Sequence, residues 1–178
     1  VLLSGDSSYV IVEHADLDEL RPIGDGYAID AERVLFAGWT VEGPSPDGAR
    51  ALGGGYVVDS HAAWHFTLFT TSRKVIEPRV GGRRLDGADP ATLRRDRAFV
   101  IDRGAVFAGT ARLDADPSQF RALDAYHGTD GRSVFFEAHR IDADPATFRP
   151  LGGRFRSHGY DIVSIDEIDD AWATDGTT

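Results

Sequence analysis

Two histidines four residues apart, His61 and His65 in His-Ala-Ala-Trp-His, are the first candidates for chemistry. On a helix that spacing can hold a metal, but the zinc-protease pattern needs Glu after the first His, and Ala62 stands there. The segment reads as a strand, where positions four apart share a face yet lie about 13 Å apart. Surface or packing roles are therefore expected. Asp114-Ala115-Asp116 and Asp142-Ala143-Asp144 alternate carboxylates as calcium loops do, without the loop's Gly and distal Glu. The second Asp of each precedes Pro, where it is expected to cap a turn. Gly43-Pro44-Ser45-Pro46-Asp47 lacks the second Gly of a nucleophile elbow. Gly53-Gly54-Gly55 lacks the spacing and Lys of a phosphate loop. The chain has no Cys, so thiolate sites and disulfides are excluded. The reading is of no catalytic residue, no metal and no cofactor, hence of a protein that is not an enzyme.

Binding is the alternative to catalysis. Asp166, Glu167, Asp169 and Asp170 form an acidic cluster, which reads either as a solvated helix start or as a landing site for a basic partner. Trp39 and Trp64 fall outside the aromatic pattern described below and are expected to be exposed as partner or sugar anchors. Arg73, Lys74, Arg79, Arg83 and Arg84 crowd one stretch. The charge is correspondingly uneven. Residues 1–72 carry net −8, residues 73–97 net +4 and residues 98–178 net −6, for −10 in all. A body this acidic repels phosphates, so nucleic acid is not an expected partner. The acidic faces, as the larger surface, are expected to dock the partner ahead of the basic stretch.

Composition sets the frame. At 178 residues, 42% hydrophobic and 27% charged, the chain is long enough to bury a core. It has no run of about 18 apolar residues, so no membrane-spanning helix is expected. Leu3-Ser4-Gly5 before a Cys would end a lipoprotein signal, but Asp6 stands there. The opening reads as a chopped or natural start, and a cytoplasmic or envelope location in a bacterium is left open.

The elements that must position these residues repeat. Ala88-Asp89-Pro90-Ala91-Thr92-Leu93 recurs as Ala115-Asp116-Pro117-Ser118-Gln119-Phe120 and as Ala143-Asp144-Pro145-Ala146-Thr147-Phe148. An aromatic follows each: Phe99, Tyr126 and Phe155. Then come Asp102 and Asp130, with His158 in the last copy, and beyond them Val106-Phe107 and Val134-Phe135. Looser copies upstream run Tyr27-Ala28-Ile29-Asp30 and Tyr56-Val57-Val58-Asp59. Asp before Pro predicts the cap of a short helical turn, with Pro at its first position and the following Leu or Phe facing inward. Gly53-Gly54-Gly55 and Gly152-Gly153 are expected to stop such turns. A strand, a turn opened by Asp and a return strand complete the unit. The expected fold is mainly β, with α+β as its alternative. It comprises about five hairpin units with short helical turns in a single domain: 16–42, 43–87, 88–114, 115–142 and 143–165. Whether the array is open or ring-like is left open. The second unit is longer by an insertion within 65–84, expected to be an extended hairpin with a basic tip.

The chain resembles the bacterial DKNYY repeat family. Leu85-Asp86-Gly87-Ala88-Asp89-Pro90-Ala91-Thr92-Leu93 is similar to its Ile-x-Gly-Ala-Asp-x-x-Thr-Phe tail. The stretch Phe99-Val100-Ile101-Asp102-Arg103-Gly104-Ala105-Val106-Phe107-Ala108-Gly109 is similar to its hairpin. The five-letter string itself is absent, and the likeness spans about residues 16–160. It implies a structural or recognition module without catalytic residues. The expected function is a non-enzymatic protein-recognition module, such as an immunity-type protein that binds and neutralises a basic secreted toxin. An envelope-associated carbohydrate-binding or scaffold module is the alternative, and a hydrolase ranks third.

Overall fold

A computed structural model describes residues 19–69, 79–150 and 173–174. Every regular element in them is a strand. Four antiparallel meanders of four strands follow one another, so the mainly-β expectation holds, with no helix among the described residues. The first is β1 (Arg21–Gly24), β2 (Tyr27–Ile29), β3 (Val34–Phe36) and β4 (Trp39–Val41). The second is β5 (Arg50–Gly53), β6 (Tyr56–Val58), β7 (Ala63–Phe69) and β8 (Arg79–Arg84). The third is β9 (Arg94–Asp96), β10 (Phe99–Ile101), β11 (Val106–Ala108) and β12 (Ala111–Leu113). The fourth is β13 (Arg121–Ala122), β14 (His127–Thr129), β15 (Val134–Phe136) and β16 (His139–Ile141). Then β17 (Arg149–Pro150) pairs with β18 (Ala173–Thr174). The chain divides into two compact units, residues 1–95 and 96–178.

The hairpins expected in the first four units are the inner pairs of their meanders, with a further strand on either side, while that of the fifth unit, around Phe155 and His158, lies outside the described residues. The outer strands are short and mostly solvent-facing, as in Trp39–Val41 and Ala111–Leu113, so they carry little apolar signal. Tight turns join them. Asp25-Gly26, Ala37-Gly38 and Gly54-Gly55 each hold two consecutive positive φ angles, the two-residue hairpin turn that matches strand twist. Gly53-Gly54-Gly55 thus makes the β5–β6 connection and stops no helix.

The helical turns are single turns. After Asp89-Pro90, Leu93 N–H reaches Asp89 C=O at 3.0 Å, and Phe148 does the same to Asp144 at 2.8 Å. One such turn closes and the chain passes directly into a strand. A single turn bears the full nucleation cost of a helix without its propagation. Here the next residues gain ladder bonds by extending instead. The caps themselves form as expected. Asp89 accepts the N–H of Ala91 at 3.0 Å, Asp116 that of Ser118 at 2.9 Å and Asp144 that of Ala146 at 2.9 Å.

Packing follows the alternation of the inner strands. Tyr27, Ile29, Val34 and Val41 of the first sheet meet Val57 and Phe66 of the second in one core. Phe99, Ile101, Val106 and Leu113 of the third meet Phe120 and Phe135 of the fourth in another. In both pairs the face carrying the aromatic and Ile packs onto the opposite face of the following sheet. The inner strands are covered on both sides, since Ala28, Leu35, Val100 and Phe107 on the other face are each no more than 1% exposed. This is how short meanders, marginal alone, acquire a core by stacking.

One repeat position shifts. Tyr126 is partly exposed, and His127 stands at the buried position held by Tyr27, Tyr56 and Phe99 in the other sheets, three residues before the turn Asp. Its Nδ1 lies 2.9 Å from Asp124 Oδ2, and its ring packs between Phe136 and Phe148 at 5.1 and 5.3 Å.

Candidate functional site

Several aspartates hold the turns together. Asp30, Asp59, Asp102 and Asp130 close the turn between the inner strands of the four sheets, and each is 6% exposed. One carboxylate oxygen accepts two backbone N–H groups ahead of it, as Asp102 does from Gly104 and Ala105 at 2.7 Å each. The other oxygen of Asp59 takes the N–H of Ser45, and that of Asp130 the N–H of Asp116, fourteen residues earlier in both cases. The turn is thereby tied to the linker that enters its own sheet. For Asp59 burial raises the pKa, but the N–H donors of Ser45, His61 and Ala62 outweigh it and hold the carboxyl below its usual range. Asp130 is lowered in the same way against the same opposition. With Asp25, Asp89, Asp96, Asp116, Asp124 and Asp144, ten aspartates among the described residues accept backbone N–H bonds. They are structural groups, so the acidity of the chain is poor grounds for placing a docking face on them.

The residues expected to do chemistry separate in space. His61 sits exposed in a turn with Nδ1 2.7 Å from Ser60 Oγ. His65 lies on β7 with its ring 4.4 Å from that of Tyr56, and burial lowers its pKa. Asp114 is exposed, while Asp116 is bonded to Ser118. Among the described residues no group of three metal-ligating side chains comes together. No described helix is long and apolar enough to cross a membrane. Asp166, Glu167, Asp169, Asp170, Arg73 and Lys74 lie outside the described residues.

Trp64 corrects an expectation. It is half-buried in the core between the first two sheets, with its ring against the backbone of Gly43, where a Cβ would come within 2.5 Å of it. Its position opposite Arg84, on the same sheet face as Val57 and Phe66, makes it a core group. Trp39 is different. It pairs with Phe36 at the outer strand of the first sheet and remains 41% exposed, the exposed large hydrophobic among the described residues. Arg83 and Arg84 are both exposed on β8, the outer strand of the second sheet, and no described carboxylate pairs with either. The two outer strands, β4 and β8, run close together. The fold therefore places Trp39 and the Arg83–Arg84 pair on neighbouring outer strands, although they are more than forty residues apart in sequence.

The β7–β8 hairpin is the insertion. Six register pairs join it, from Trp64↔Arg84 to Phe69↔Arg79, whereas β6 accompanies only its first part, from Ala63 to His65. Past His65 it is a two-stranded ribbon extending beyond β6. Gly82 is needed there, because a Cβ would enter the Phe66 ring. An exposed Trp and exposed arginines on neighbouring strands are residue types that anchor interfaces. No family model, no curated protein and no solved structure matches this chain.

Proposed function

We propose that the chain is a non-enzymatic protein-recognition module, of the kind an immunity protein represents, and that it engages its partner through the β4–β8 edge. The observation that carries this is the convergence of Trp39, Arg83 and Arg84 on neighbouring outer strands, with no described carboxylate paired to either arginine. The ten structural aspartates support moving the site away from the acidic body. The partner is accordingly one that presents acidic groups, the reverse of the basic partner that net charge alone suggests. Trp supplies apolar area and the guanidiniums supply directional donors for carboxylates.

The test is association with a captured partner by surface plasmon resonance, comparing the native chain with Trp39→Ala and with Arg83→Gln/Arg84→Gln. Trp39→Ala should raise the off-rate. The double arginine change should lower the on-rate and flatten its dependence on salt, because steering by exposed charges is screened beyond about 8–10 Å at physiological ionic strength. Affinity unaltered by all three changes would reject the edge as the binding site.

A further inference from the structure

The backbone of β8 can be oriented from its bonds. Leu85 N–H donates to Ala63 C=O at 2.8 Å, and these two residues continue the register in which Trp64 faces Arg84. Hydrogen-bonded and non-bonded pairs alternate along an antiparallel ladder. His65↔Arg83 and Thr67↔Gly81 are therefore bonded pairs, and Trp64↔Arg84 and Phe66↔Gly82 are not. The partner strand agrees, since Phe66 N–H is spent on Gly55 C=O at 2.8 Å, on the β6 side. The N–H and C=O of Gly82 and Arg84 thus point away from β7, out of the sheet edge. Among the described residues no strand pairs with β8 on that side.

We infer that β8 accepts an extended acidic segment of another protein as a fifth strand, bonded to the outward N–H and C=O of Gly82 and Arg84. This rests on the proposed protein-recognition role and specifies how it works. Strand addition takes its affinity from main-chain bonds and its selectivity from side chains at alternate positions. Gly81 and Gly82 leave the approach unobstructed. Arg83 and Arg84 project to opposite faces of the sheet, so adjacent carboxylates on the incoming strand, one per face, meet both. The same arginines disfavour pairing of β8 with a second copy of itself, because like charges would be brought opposite one another. An acidic strand is the occupant that this edge attracts.

The probe is a terminally blocked peptide, Thr-Val-Glu-Asp-Val-Glu-Val-Thr, titrated into the full chain and followed by amide NMR. The amide protons of Gly82 and Arg84 should shift and become protected from exchange, while those of Gly81 and Arg83 hold still. Two variants separate charge from backbone. Arg84→Gln removes the guanidinium and keeps the outward N–H, whereas Arg84→Pro removes both. The Gln variant should weaken the peptide about tenfold or less, and the Pro variant should abolish the protection. A peptide methylated on alternate backbone nitrogens, with its charges intact, should fail to bind. Equal losses for Gln and Pro, with the methylated peptide still bound, would overturn strand addition and leave recognition by charge standing. Absence of any shift at Gly82 and Arg84, with both variants folded as judged by their remaining amide spectra, would overturn it outright.

Discussion

At the residue scale the turn aspartates decide more than any other side chain. Asp130 holds the N–H groups of Arg132, Ser133 and Asp116 at 2.9, 2.8 and 3.1 Å. Asp130→Ala leaves these donors without an acceptor and should cost about 1–3 kcal/mol in urea unfolding. Asp59 and Asp130 are both held below the ordinary carboxylate range, so they bind protons more readily unfolded than folded. Their contribution is fully present above the unfolded value near 3.9 and is lost as pH falls through the lowered folded values. Unfolding free energy should therefore be flat down to about pH 5 and decline steeply below pH 4, and Asp59→Asn should shrink that decline. His127 makes a second residue-level prediction. It fills an aromatic position, so His127→Ala should cost about 2–4 kcal/mol, while His127→Phe should cost under about 1.5. Asp124 keeps the N–H groups of Tyr126 and His127 in either variant. A larger loss for Phe than for Ala would show that the hydrogen bond to Asp124, rather than ring packing, holds the site.

At the element scale, side-chain volume is traded between a linker and a strand. The ring of Phe120 lies over Gly128, where a Cβ would clash with it. The third unit carries Leu93 and Val100 at the corresponding sequence positions, a smaller linker residue and a larger strand residue. Gly128→Val alone should overpack the site by about 1–3 kcal/mol, and adding Phe120→Leu should recover part of that loss. A double-mutant cycle on thermal unfolding measures the coupling, which should be favourable because the two groups touch. Additive losses would mean that the site relaxes by backbone movement.

At the scale of the whole molecule, the core and the binding edge occupy different parts of the sheets. The inner strands are buried on both faces, whereas Thr67 and Gly81, the pair beyond Phe66 on the ribbon, are exposed. Replacing residues 68–80 by a two-residue Asn-Gly turn, closed by the bonded pair Thr67↔Gly81, should leave the remaining β7–β8 pairing in place and shift the melting temperature by only a few degrees. The same change keeps Trp39, Gly82, Arg83 and Arg84, so partner binding should persist, and its loss would place the site on the ribbon instead. A large drop in melting temperature would mean that the insertion is part of the core.

Periodicity made the repeat readable without coordinates. Asp-Pro at spacings of 27 and 28 residues marks the capped turns, and aromatic-x-x-Asp marks an inner strand and the turn that ends it. Both signals are local, because a carboxylate caps the N–H two or three residues ahead of it. The outer strands were less legible, although Asp25-Gly26 and Gly109-Thr110 are hairpin signals that could have revealed them. In the sequence Tyr126 stands out as the repeat aromatic because His127 is polar, and only burial against Phe136 and Phe148 shows which residue faces the core. The candidate site was visible as parts, since Trp39, Arg83 and Arg84 stood out singly. Their meeting on adjacent outer strands, the withdrawal of Trp64 into the core and the outward aim of the Gly82 and Arg84 backbone required the fold. Local hydrogen bonding is written in a few neighbouring letters, whereas proximity between strands more than forty residues apart is set by how the sheets stack.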